Sequence, residues 1–147
     1  MANINQVKQD YQQIVDKHSP KNKVFVNSIK AFFIGGIICS IGQGLTDVYL
    51  FLGLSFYEST TLATDSLIFI SFVLTAFNVY DDIGKFGGAG ALVPITGFAN
   101  SMVSAAMEYK KEGYIYGMGA KLFTIAGPVI VFGTIASVVI GLIYYFV

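Results

Sequence analysis

Residues 84–98 read GKFGGAGALVPITGF, and the fold depends on where such a segment can sit. Glycines at 84, 87, 88 and 90, followed by Pro94, make one continuous helix costly. Yet residues 86 to 107 carry no charge, which is too apolar for a solvated loop and just long enough to cross a bilayer. Two readings compete: a fourth full span, or a re-entrant segment over 84–109 that enters and leaves on one side. Lys85 precedes the segment and Lys110 and Lys111 follow it. All three lie on the cytoplasmic side only if the segment re-enters, as the bias of lysine toward that side favours.

The rest of the chain supplies a membrane setting. Of 147 residues, 54% are apolar and only 12% charged, about half the charge of a soluble domain. The mean hydropathy is +0.66. Between Ala31 and Tyr80 the only charges are Asp47, Glu58 and Asp65, and none follows Lys121. The nine cations are all lysine and nine acids balance them, so there is no basic face for nucleic acid. Cys39 is the one cysteine and reads as a small buried hydrophobe.

These patterns predict an all-α, polytopic integral membrane protein with three full transmembrane helices, a Gly-rich re-entrant segment and an N-terminal amphipathic helix. Ile4, Val7, Tyr11, Ile14 and Val15 recur at helical spacing, so residues 1–20 read as an interfacial helix stopped by Pro20. Residues 21–147 form one transmembrane domain, with spans expected at about 24–46, 62–80 and 122–146. Ser59 or Thr60 would cap the second span, with Asp65 near its first turn, and Gly127-Pro128 would kink the last. Gly36, Ser40 and Gly44, and again Gly133, Ser137 and Gly141, give small-residue faces for close helix packing. Five lysines precede or begin the first span, so the N-terminus is expected in the cytoplasm.

A re-entrant segment has chemical consequences. Proline suits the first helical turn, so a helix from about Pro94 to Tyr109 would begin inside the membrane. Its free N–H groups could meet an anion, as broken helices do in transporters. The candidate path is Lys85, Phe86, Gly87, Gly88, Gly90, Pro94, Thr96, Gly97, Asn100, Ser101 and Ser104, with Lys121 as a second cation. Gly97 and Ser101 serve close packing about as well. Asp81-Asp82 is a weak cation signal and no metal site is expected. There is no phosphate loop, zinc spacing or nucleophile elbow, so neither an enzyme nor a cofactor is expected.

The run VYDDIGKFGGAGALVPITGFANS, then EYKKEG and GAKLFTIAGPVIVFGTIASVVIGLIYY, resembles the SpoVA family of spore-forming bacteria. The amphipathic N-terminus and the EYKKEG and GAKLF segments resemble its AC-type branch. The likeness covers nearly the whole chain. The family commonly has alanine where this chain has Gly87, a departure that should loosen the loop. The resemblance implies a multi-pass subunit of the inner (forespore) membrane that moves dipicolinic acid with calcium during sporulation and germination. It also implies tension-gated channel behaviour, and as partners an AE-type membrane subunit and a soluble AD-type subunit. Membrane lipid surrounds the spans, and a homo- or hetero-oligomer is open. The reading of a different class is a structural docking subunit that uses its small-residue faces without a conduction path of its own.

Overall fold

A computed structural model describes residues 4–18 and 23–146, and among these there are helices and turns but no strand. Helix α1 (Ile4–His18) presents Val7, Tyr11 and Ile14 to the outside, in keeping with an amphipathic sequence. Pro20, its expected stop, lies outside the described residues.

Helix α2 (Val24–Phe51) has 28 residues and outruns its expected end at residue 46. Asp47 does not stop it because the Gln43 side-chain amide, one turn back, donates to its carboxylate at 2.8 Å. The chain leaves the helix near Gly53, whose φ of +89° a glycine tolerates without strain. Helix α3 (Phe56–Ala76) starts six residues before the expected position, because Ser55 and Glu58 form a capping box. Ser55 Oγ accepts from the Glu58 N–H at 3.4 Å, and the Glu58 carboxylate accepts from the Ser55 N–H at 3.0 Å. Neither Ser59 nor Thr60 is the cap, and Asp65 lies well inside the helix rather than in its first turn. At the other end α3 stops at Ala76 instead of continuing to Tyr80. Asn78 takes φ +59°, a left-handed conformation that asparagine adopts more readily than most residues.

The glycine-rich region is built from three short helices: α4 (Val79–Gly87), α5 (Ala89–Leu92) and α6 (Ile95–Tyr109). With nine, four and fifteen residues, none alone reaches the twenty or so that a crossing helix needs. The breaks fall at Gly88, with φ +51° and ψ −127°, and at Pro94, whose extended backbone leads into α6. After a 3₁₀ turn at Lys110–Glu112 and a π turn at Tyr114–Gly119, α7 (Ala120–Phe146) begins. It continues through Pro128 rather than ending there. Three stretches are long and apolar enough to cross a membrane: α2, α3, and the π turn together with α7.

Two hydrogen bonds fix the direction of α6. Ser71 Oγ donates to the Thr96 carbonyl at 2.6 Å, and Thr75 Oγ1 donates to Asn100 Oδ1 at 2.9 Å. Both pairs are 25 residues apart, so α3 and α6 advance together and run parallel. The chain between them must therefore double back through α4 and α5. That segment is held on α2, where Gly90 sits so close that an added Cβ would run into the Ala31 carbonyl.

Gly90→Ala should thus cost at least the roughly 1–3 kcal/mol typical of over-packing. Gly133→Ala, where a Cβ would meet nothing within 4 Å, should be neutral or gain up to about 1 kcal/mol from helix propensity. Thermal unfolding in detergent, followed by circular dichroism, separates the two.

Candidate functional site

The residues singled out in the sequence fall into two groups. Thr96, Gly97 and Gly87 are buried, and Asn100 is half-buried. Thr96 and Asn100 belong to a hydroxyl network under the segment, and the two glycines are close-packed beside it. Lys85, Phe86 and Gly88 lie at its edge, where they line a cleft against the start of α2.

The network centres on Tyr80, 3% exposed, which α4 turns inward from just beyond the break at Asn78. Its hydroxyl lies 2.8 Å from the Ala91 carbonyl and 2.7 Å from Thr96 Oγ1. A phenol has one proton and a carbonyl can only accept. Tyr80 therefore serves Ala91, and the Thr96 hydroxyl proton completes the second bond. The Thr96 carbonyl in turn accepts from fully buried Ser71. Thr75, one turn along α3, lies 2.7 Å from the Ser71 carbonyl and 2.9 Å from Asn100 Oδ1, and its single proton serves one of them at a time. The Ala91 carbonyl, at the end of α5, is thereby satisfied by Tyr80 of α4, while Ser71 and Thr75 of α3 anchor the start of α6. Sequence reading missed Tyr80, Ser71 and Thr75. The available signal was a Ser and a Thr four residues apart in an otherwise apolar helix.

Gly97 is packed under the Leu92 and Ala91 carbonyls, with no room for a Cβ. Gly87 is tight rather than loosening: a Cβ there would lie 2.7 Å from the Ile34 side chain. The expectation of a slacker loop is corrected by that contact. Pro94 takes the N-cap position of α6, and the Gly97 N–H returns to its carbonyl at 2.8 Å. Ser101 donates to the Phe98 carbonyl at 2.7 Å on its own helix, and Ser104 is half-buried.

The cleft has a volume of about 350 Å³. Val24, Asn27, Ser28, Lys30 and Ala31 of α2 form one wall, and Lys85, Phe86, Gly88 and Ala89 the other. Lys85 pairs with Asp82 at 3.1 Å, and both side chains are largely in the open. Lys30 places its ammonium 4.8 Å from the centre of the Phe86 ring. Lys30, which the sequence reading counted only among the five lysines at the start of the first span, is a second cation of this cleft. Lys121 instead lies over Tyr109, 4.6 Å from the ring centre, and does not line the cleft. The packing faces expected at Gly36, Ser40, Gly44, Gly133, Ser137 and Gly141 are exposed. Nothing of this chain lies within 4 Å of a Cβ added at any of the four glycines. Among the described residues no cluster of His, Cys, Asp or Glu could hold a metal ion.

A family profile described as SpoVAC/SpoVAEB sporulation membrane protein matches residues 27–143. Stage V sporulation protein AC of Bacillus subtilis (strain 168) is 48% identical over 143 residues, covering 95% of this chain and 93% of that protein. No solved structure matches.

Tyr80→Phe should leave the Ala91 carbonyl and the Thr96 hydroxyl short of a partner and cost about 1–3 kcal/mol. Ser101→Ala, which removes a bond within one helix, should stay within about 0.5 kcal/mol. Parallel thermal melts in one detergent test the difference.

Proposed function

This chain belongs to the SpoVAC/SpoVAEB family of sporulation membrane proteins, and on that premise we propose that it is a channel subunit for dipicolinic acid, with calcium, in the inner (forespore) membrane. Uptake serves the developing spore and release serves germination. The observation that carries the reading is the parallel course of α3 and α6. A helix that crossed back after α3 would have to run against it, so this course supports a segment that enters and leaves on the cytoplasmic face. On this reading α2, α3 and α7 are the spans, the N-terminus is cytoplasmic, α1 lies in the interface and the C-terminus lies outside.

The break at Gly88 to Pro94 is the narrow part of the path, with Lys85 at its mouth. A dicarboxylate needs positive potential along its route, and lysine at a pore mouth supplies it. The hydroxyl network suits such a role because it holds non-helical backbone at membrane depth, where unsatisfied polar groups are not tolerated. Tension gating fits the short α2–α5 contact, which lateral stretch would part. The AE-type membrane subunit and the AD-type soluble subunit are its proposed partners.

A specific observation favours the docking alternative as well: the open small-residue faces on α2 and α7 are free to receive helices of other subunits. Bulky replacement of Gly36 or Gly133 should then disrupt co-purification of the complex. Under the channel reading, replacement of Gly88 or Gly90 should lower dipicolinate flux first.

Lys85→Glu should lower the dipicolinate content of spores, and unchanged content would remove Lys85 from the path. Single cysteines at 85, 110 and 146 in a Cys39→Ser background test the topology in oriented vesicles. Labelling of 85 and 110 from one side and 146 from the other is expected. Labelling of 85 and 110 from opposite sides would overturn the re-entrant reading.

A further inference from the structure

The cleft beneath Phe86 has a second feature that conduction of a solute does not use. Its lining includes two lysines, an asparagine and a serine, but no carboxylate. Lys85 is partly neutralised by Asp82, so Lys30 is the stronger cation. Lys30 rests on the face of the Phe86 ring, a contact that leaves its N–H groups able to bind an anion. Val24 and Phe86, at the rim, are exposed apolar side chains, and Val24 begins a membrane-capable helix. The cleft therefore opens where the headgroup layer meets hydrocarbon.

Farther along α2 lies a second cavity, of about 220 Å³. Ile34, Ile37, Ile38 and Ile41 of α2 line it, together with Leu67 and Leu74 of α3 among others. Residues 24, 27 and 31 at the cleft and 34, 38 and 41 at the cavity follow one another at three- and four-residue steps, so one helix stripe serves both. The contacts of Gly87 and Gly90 with Ile34 and Ala31 stand between them. A cationic cleft at the interface followed by an apolar cavity one to three turns deeper matches a molecule with an anionic head and a hydrocarbon tail. A free dicarboxylate would have no use for the second half.

We propose that α2, α4 and α5 form a binding site for one anionic phospholipid, its headgroup phosphate on Lys30 with Lys85 beside it, and an acyl chain directed along α2 toward the isoleucine cavity. Such a lipid would bridge the contact between α2 and the re-entrant segment and so couple the state of the bilayer to that contact. The site rests on the placement of α2 in the membrane and is independent of which solute is carried.

The test uses the full chain in vesicles of mixed phosphatidylcholine and phosphatidylglycerol, with retained lipid read by native mass spectrometry. Wild type should retain phosphatidylglycerol preferentially. Lys30→Gln should reduce that retention roughly fivefold, the equivalent of about 1 kcal/mol for one lysine at a membrane surface, and Lys30→Arg should restore it. Lys121→Gln, which removes a lysine that also lies on an aromatic ring but away from the cleft, should leave retention unchanged. Equal loss in the Lys30 and Lys121 variants would overturn the site, as would no loss in Lys30→Gln. Displacement of the lipid by soluble dipicolinate would also overturn it, and would make the cleft a solute site. Because the readout is lipid retention, a chain that carries no dipicolinate at all would leave this result standing.

Discussion

The Tyr80 hydroxyl, held between the Ala91 carbonyl and the Thr96 side chain, is the contact on which the unusual part of this fold depends. A chain that leaves helical geometry among apolar helices must find partners for the backbone groups it frees, because hydrocarbon offers none. Here α4 supplies one such partner, and α3 anchors α6 beside it. Ser71 reaches the first turn of α6, Thr75 holds Asn100 a turn later, and Tyr80 covers the carbonyl that α5 exposes. The two bonds from α3 also set α6 parallel to it.

Close approach does the remaining work. Gly90 lets α5 lie on the Ala31 carbonyl, and Gly87 accepts the Ile34 side chain where a methyl group would intrude. Dispersion contacts and weak polar contacts replace the hydrophobic drive that helices lose inside a bilayer. Glycine is needed here for space, and at Gly88 for its left-handed backbone. The segment is therefore bound on two sides: by hydroxyls to α3 and α4, and by backbone proximity to α2.

The outside of the molecule has a different character. Beyond its first turns α7 is exposed on every side, and Gly36 and Gly44 of α2, like Gly133 and Gly141 of α7, face away from their own chain. A surface of this kind faces lipid or other subunits, and a membrane complex needs both. In α2 to α7 the charged groups, Asp65 apart, lie toward the helix ends. Lys30, Lys85 and Asp82 gather around the cleft, and Lys121 lies on Tyr109 at the far end of α6. Lys30 and Lys121 each set the ammonium over an aromatic ring, while Lys85 pairs with a carboxylate.

Much of this was written in composition and local pattern. The 26 uncharged residues after Lys121 and the two charges in α2 suit a membrane, so both helices were legible, α2 to within five residues at its end. The break near Gly88 and the start of α6 at Pro94 follow from steric rules that act on neighbouring residues alone. Helix ends governed by side chains were misjudged, because the Ser55–Glu58 box and the Gln43–Asp47 pair compete with apparent breakers in ways a hydropathy run does not register. The roles of Ser71, Thr75, Tyr80 and Lys30 were not legible at all. Each depends on a partner 11 to 56 positions away on a neighbouring helix, and one-dimensional spacing carries no information about which helices touch. Sequence determined that the chain spans a membrane and where its helix must break. Tertiary structure alone decided which hydroxyls satisfy that break and which lysines share the cleft, because both are settled by contact between helices.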